Sequence, residues 1–226
     1  PPGEFRMGST EGDSDERPVH SVVLSEGFWL SRYQVTNDDY RRFLQAQPGS
    51  VETPRYWDNR KFNQPKQPVV GISWHDAVKY CEWAGFRLPT EAEWEYACRA
   101  GSPQEYCFGS DPSQLGDYAW YGENSKGQTQ PIGSKRPNAW GLHDMHGNVY
   151  EWCSDWYGAY ESELCVDPIG APAGSYRVVR GGGWDGDARG VTAFLVPAHA
   201  PGVKIEEYLW TFNMPTDHPR VSFTNV

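Results

Sequence analysis

From Ser102 to Tyr176 the chain shows almost no helix or strand periodicity, and this stretch constrains the fold more than any other feature. Gly, Pro, Asn and Asp alternate there with short aromatic segments. A compact domain seldom holds about 70 residues without regular elements unless an ion or stacked rings tie them down. Rings are plentiful: 11 Trp, 13 Tyr and 9 Phe make up 15% of the 226 residues. A mean hydropathy of −0.71 and a hydrophobic share of 38% would alone suggest disorder. Disordered chains are poor in aromatics, so the rings decide for a folded, loop-rich chain with a core of rings rather than of Leu and Ile.

The flanking segments carry clearer signals. Residues 19–35 alternate apolar and polar in two runs broken at Glu26-Gly27, which predicts two strands. Thr36 with Asp39, and Thr90 with Glu93, have capping-box spacing. Helices are expected after Thr36, with Tyr40, Phe43 and Leu44 on the apolar face, and from Thr90 through Cys98. A further helix, Trp74 to Ala84, is capped by Ser73 and stopped by Gly85. Residues 48–71 read as loop, and 176–180 (YRVVR) as a strand running into Gly181-Gly182-Gly183. Beyond it, Pro197, Pro201, Pro215 and Pro219 leave weak strand signals. The sum is a single α+β domain over residues 1–226, with few helices, small antiparallel sheets and much irregular chain.

A formal charge of −10 and a pI near 5.0 leave no basic footprint. Neither nucleic acid nor an anionic lipid surface is therefore an expected partner. No run of about 18 apolar residues is present, so no membrane-spanning helix is expected. The cysteines, Cys81, Cys98, Cys107, Cys153 and Cys165, are odd in number and form no CxxC pair. That excludes zinc-ribbon and thioredoxin patterns and favours buried free thiols.

The densest polar segment is Gly141 to Trp152, which places Asp144, Asn148 and Glu151 around Gly147. Hard oxygen donors so spaced suit Ca²⁺, although the EF-hand pattern is missing. A turn closed by Asx hydrogen bonds, without metal, fits the same spacing. His143 and His146 match no zinc template. No GxSxG elbow is present, and Gly181-Gly182-Gly183 lacks the rest of a phosphate loop; a tight turn with close backbone approach fits it better. Trp120, Tyr121, Trp140, Tyr150, Trp152, Trp156, Tyr157, Tyr160 and Trp184 either line a cleft or simply form the core.

Seven ordered blocks carry a resemblance. They are Phe5-Arg6-Met7-Gly8-Ser9 with Glu16-Arg17-Pro18-Val19-His20; Tyr33-Gln34-Val35-Thr36-Asn37; Pro68 to Trp74; Arg87 to Ala97; Asn138-Ala139-Trp140-Gly141-Leu142; Gly147 to Trp152; and Arg177 to Gly182. Over residues 5–189 the chain resembles the formylglycine-generating-enzyme (sulfatase-modifying factor) superfamily. The resemblance implies a C-type-lectin-like fold. It also implies a Ca²⁺ site made by the side chains of Asp144 and Glu151 and the carbonyls of Gly147 and Val149. The superfamily's second calcium site falls on Trp120, whose side chain offers no oxygen. Catalytic members carry two cysteines that bind copper and activate oxygen; their places fall on Gly186 and Gly190, and no cysteine follows Cys165. Cu(I) needs soft ligands, so neither copper nor formylglycine chemistry by that route is expected. An oxidase working through other residues is the alternative. The superfamily's closing Gly-Phe-Arg is replaced by Tyr208-Leu209-Trp210-Thr211-Phe212.

Variable proteins of diversity-generating retroelements are similar in scaffold and vary just after a Gly-Gly-x-Trp turn. Randomised AAY codons reach only residues encoded by NNY. Those at 185–187, 190, 194–199, 202, 203, 205 and 208 are all reachable, whereas Lys204, Glu206, Glu207 and Trp210 are not. This likeness implies a non-catalytic protein displaying residues 184–210 to a protein or other macromolecule. Trp184, Phe194, Tyr208 and Trp210 would serve as aromatic anchors. Asp185, Asp187 and His199 would make polar contacts, and Gly186, Gly190, Leu195, Val203 and Ile205 would complete the surface.

Overall fold

Three capping boxes set the helices. Thr36 Oγ1 accepts from the Asp39 amide (3.2 Å) while the Asp39 carboxylate accepts from the Thr36 amide (3.2 Å), starting helix α1, Asn37–Ala46. The same reciprocal pair, Ser73 with Asp76, starts α2, Trp74–Ala84, which ends at a left-handed Gly85 (φ 80°). Thr90 with Glu93 starts α3, Glu91–Arg99, which runs one residue past Cys98. A short α4, Leu115–Tyr118, follows. In this computed structural model the described residues are 1–12, 14–186, 193–197 and 210–211, the last two segments as strand backbone.

The strands form two sheets. In the first, β1 (Gly3–Met7) pairs antiparallel with β2 (His20–Leu24), and β4 (Cys165–Val166) joins the far side of β2 in parallel. In the second, β3 (Tyr150–Trp156) and β5 (Tyr176–Arg180) pair antiparallel. There β6 (Ala193–Pro197) extends β5 antiparallel, and β7 (Trp210–Thr211) lies parallel to β3. The sheets are therefore mixed, not purely antiparallel. Long irregular connections, unlike hairpins, let a returning strand pair in parallel.

Two further expectations change. Residues 25–35 hold no second strand, because Ser31 Oγ donates to the Tyr33 carbonyl (2.7 Å) and accepts from its amide (3.3 Å), closing a local turn. The stretch 102–176 contains β3 and β4. Tyr150 to Cys153 are all buried, so no apolar–polar alternation announces β3.

The core is built from rings. Tyr40, Phe43 and Tyr80 meet with ring centroids 5.3–5.6 Å apart between α1 and α2. Trp94, wholly buried on α3, packs with Leu142, Met145, Cys153 and Val178. All five cysteines are free, and Cys81, Cys98 and Cys153 are buried. Among the described residues no helix is long and apolar enough to cross a membrane.

Candidate functional site

The loop entering β3 is held from several sides. Asn138 donates to the Ala97 carbonyl at the end of α3 (2.7 Å) and accepts from the Leu142 amide (3.1 Å). Asp144 (φ 62°) and Asn148 (φ 69°) take left-handed conformations, which Asp and Asn tolerate best after glycine. The Asn148 amide donates to the Trp120 carbonyl (2.7 Å). Gly147 sits so close that a Cβ would lie 2.4 Å from the same oxygen.

Three of the oxygens named as calcium ligands, those of Gly147, Val149 and Glu151, meet one atom, joined there by the Asp144 carbonyl rather than its carboxylate. Gln34 Nε2 lies 2.8 Å from Glu151 Oε1, 3.3 Å from the Gly147 carbonyl and 3.4 Å from the carbonyls of Asp144 and Val149. Trp94 Nε1 donates to Glu151 Oε2 (2.8 Å), and the Gly133 amide donates to Asp144 Oδ2 (2.7 Å). Asp144 Oδ1 is buried and receives no hydrogen bond. Gln34, Asp144 and Glu151 are each at most 1% exposed. Burial pushes the Asp144 carboxyl up to about 7 and that of Glu151 up to about 8. Gln34 had no individual signal in the sequence, because its partners lie over a hundred positions away.

Asn148, grouped with the carboxylates by spacing, accepts from the Gln130 amide (2.9 Å), donates to the Gln130 carbonyl (3.0 Å) and lies 3.3 Å from Gln34 Oε1 through the same Nδ2. With Asp144 on Gly133, these side chains knit separate loops together rather than close a local Asx turn. The two histidines diverge. His143 Nδ1 faces the Lys135 carbonyl (2.9 Å) and its ring stacks on Tyr33, while buried His146 Nε2 accepts from the Cys107 amide (3.2 Å). Burial lowers His146 to about 4, so its ring is neutral near pH 7.

The glycine turn after β5 lies against this loop. Gly181 (φ 106°) and Gly182 (φ 152°) have backbones that favour glycine, and a Cβ on Gly182 would come within 3.1 Å of the His146 carbonyl. The chain is then pinned at three points. The Trp184 amide donates to the Asn148 carbonyl (2.9 Å), Ser125 Oγ to the Trp184 carbonyl (2.5 Å) and the Gly122 amide to the Gly186 carbonyl (2.8 Å). Trp184 turns its half-buried ring onto Phe62 (5.3 Å) and so belongs partly to the scaffold. Asp185 is exposed. At Gly186 a Cβ would meet only Tyr150 Oη, at 3.8 Å. In β6, Leu195 is opposite Val178 and Phe194 opposite Val179; in β7, Trp210 is opposite Tyr150. Asp187, Gly190, His199, Val203, Ile205 and Tyr208 lie outside the described residues.

These spacings give opposite expectations for two glycines. Gly147→Ala should cost about 1–3 kcal/mol, because backbone must move to admit the methyl group. Gly186→Ala, or a larger residue there, should change stability by less than about 0.5 kcal/mol. Denaturant unfolding of the two variants checks the contrast.

The profile of the Sulfatase-modifying factor enzyme 1-like domain matches residues 1–202. The chain belongs to the sulfatase-modifying factor family. Its fold is the C-type-lectin-like fold of formylglycine-generating enzymes. The formylglycine-generating enzyme of Streptomyces coelicolor is 33% identical over 242 residues, covering 81% of this chain and 77% of that one. The serine/threonine-protein kinase pkn1 of Chlamydia pneumoniae is 39% identical over 204 residues, covering 80% of this chain. This family member spans only 32% of that kinase's length. Among solved structures, Treponema denticola variable protein 1 superposes with a TM-score of 0.75 at 24% identity, covering 94% of this chain and 91% of that one.

Proposed function

We propose that this family member is a non-catalytic binding scaffold that displays residues 184–210 to a protein or other macromolecular partner. The observation that carries the reading is the composition of the two positions where catalytic members hold copper-binding cysteines. They are Gly186 and Gly190, and no cysteine follows Cys165. Glycine offers no soft ligand for Cu(I). Room for a side chain at Gly186 supports a surface whose residues can change without disturbing the scaffold. The likeness to Treponema denticola variable protein 1 supports the specific form of the reading, a variable protein of a diversity-generating retroelement. The formylglycine-generating relatives favour the opposite reading, an oxidase. Copper-loaded full chain incubated with a cysteine-containing sulfatase peptide should yield no aldehyde by mass spectrometry. Catalytic turnover to formylglycine would overturn the proposal.

We further infer that the oxygen cluster holds Ca²⁺ through the Asp144 and Glu151 carboxylates and the Gly147 and Val149 carbonyls. The donor set fits: all are hard oxygens, two are anionic, and Asp144 Oδ1 is buried without a hydrogen bond. Bound there, the ion supplies a structural cross-link between the loop at 144–149 and β3, and no catalytic step. The Gln34 amide competes with it for three of these oxygens, those of Gly147, Val149 and Glu151. Gln34→Glu is therefore expected to tighten calcium binding tenfold or more. In chelator the same variant should melt below the parent chain, since a third buried carboxyl then lacks a counter-ion. Calcium titrations followed by thermal melting test both signs.

A further inference from the structure

The first sheet has the strand order β1–β2–β4, so β4 is one of its open edges. The register fixes which backbone groups of β4 are used. Val22 is opposite Cys165 and Val23 opposite Val166, in parallel, and the Asp167 amide donates to the Val23 carbonyl (2.8 Å). In such a ladder alternate residues serve the neighbour, here Cys165 and Asp167. The amide and the carbonyl of one trans peptide unit point opposite ways. The carbonyls of Leu164 and Val166, and the Val166 amide between them, therefore face the open side. Among the described residues these three groups have no hydrogen-bond partner.

The side chains at this edge are apolar and exposed. Leu164 and Val166 are each 59% exposed, and Ile169 is 75% exposed. Edge strands that stay bare are blunted by lysine, proline or a bulge, and Leu164-Cys165-Val166 carries none of these. Val166 lies beside half-buried Val23, which extends the apolar surface onto the sheet. A cavity of about 510 Å³, lined in part by Leu164, Val166 and Ile169, opens next to the strand. It shares no lining residue with the calcium cluster or the turn at Trp184–Gly186.

The rim is acidic. Glu161 and Glu163 are exposed; burial and then their charges raise the Cys165 thiol, which places both carboxylates close to β4. Glu4, also exposed, stands opposite Val23 on the other side of β2. The cations nearby are engaged. Arg6 donates to Ser21 Oγ (3.2 Å) and to the Val19 carbonyl (2.9 Å), and Arg87 holds Glu93 with two hydrogen bonds (2.6 and 2.7 Å). A second copy of this chain fits such an edge poorly, because edge-to-edge pairing would bring these glutamates against their own counterparts.

We propose that the β4 edge docks an extended segment of a partner protein in which apolar and basic residues alternate, added as a fourth strand to the first sheet. The segment's backbone bonds to Leu164 and Val166, its apolar side chains cover Leu164, Val166 and Ile169, and its basic ones meet Glu161 and Glu163. This surface is separate from residues 184–210 and stands independently of the display reading.

Titration of the full chain with the C-terminally amidated heptapeptide KVKVKVK, labelled with fluorescein and read by fluorescence anisotropy, tests the proposal. Saturable binding in the millimolar range or tighter is expected, with the acidic peptide EVEVEVE not bound. Val166→Pro removes the outward amide but keeps the net charge and the bonds to β2, as an edge position allows. It should weaken the basic peptide tenfold or more without lowering the melting temperature. Leu164→Lys, which adds a like charge and removes apolar surface on an exposed site, should weaken it as much. Absence of saturable binding would overturn the proposal. So would equal affinity for EVEVEVE, or unchanged affinity in folded Val166→Pro or in Leu164→Lys. A chain that sediments as a dimer, and as a monomer once Val166→Pro is introduced, would also overturn it, because a second copy would then cover the edge.

Discussion

Arg180→Met is expected to cost about 3–5 kcal/mol of folding stability, because removing one partner of a buried ion pair strands the other. In a chain of this size that is a fall of roughly 10 °C in Tm. Arg180 is wholly buried at the end of β5 and serves both Glu91 and Glu95 of α3. Its Nη2 also donates to Tyr160 Oη (3.3 Å). Glu95 accepts in addition from the Gly8 amide (2.8 Å), so the network joins β5, α3 and the end of β1. It fixes the base of the turn from which residues 184–210 depart. Adding Glu91→Gln to Arg180→Met should recover part of the loss, since it removes one of the stranded carboxylates. Calorimetric melting of the single and double variants checks both statements. A single variant as stable as the parent chain would show that the network contributes little.

Removing calcium should have an effect of similar size. A ligand present at a thousand times its dissociation constant, and bound only by the folded state, adds about 4 kcal/mol. Chelation should therefore lower Tm by roughly 10 °C. The sign of the pH dependence follows from the two carboxyls. In the ion-free protein, burial raises Asp144 from 3.8 to about 7 and Glu151 from 4.5 to about 8. Their contribution is then fully present below the unfolded values and is lost as pH rises through 7 to 8. With calcium bound the trend reverses, because the ion requires both groups charged. The gap between chelated and calcium-loaded Tm should thus widen from about pH 6 to about pH 9. Glu151→Gln should abolish most of the calcium response. A chelator that leaves Tm unchanged at both pH values would remove the ion from the account.

Much of the helical framework was legible in the sequence because it is locally encoded. Thr36–Asp39 and Thr90–Glu93 each satisfy two backbone groups within a single turn, and the Ser73 cap and the Gly85 stop needed no distant partner. The sheets were harder to read. Two residues of β4 reach β2 across the whole helical region, pairing Val22 with Cys165, and no local pattern encodes that contact. β3 escaped notice because both of its faces are covered. The same division holds at the site. Asp144, Gly147, Val149 and Glu151 stand close together in the sequence, within the segment Gly141 to Trp152. Gln34, at their centre, comes from a segment joined to them only by the fold. Trp184 looked like an exposed anchor, but the Phe62 and Val70 side of the core claims part of its ring.

The retroelement reading makes its most direct claim about variation, and sequencing this gene with its sister copies tests it. The account predicts differences concentrated at 185–187, 190, 194–199, 202, 203, 205 and 208, with an adjacent reverse transcriptase and a template repeat. The scaffold glycines Gly147, Gly181 and Gly182 should stay unchanged. Differences spread evenly along the chain, or cysteines at 186 and 190 in the sister copies, would contradict a display scaffold and restore the enzyme reading.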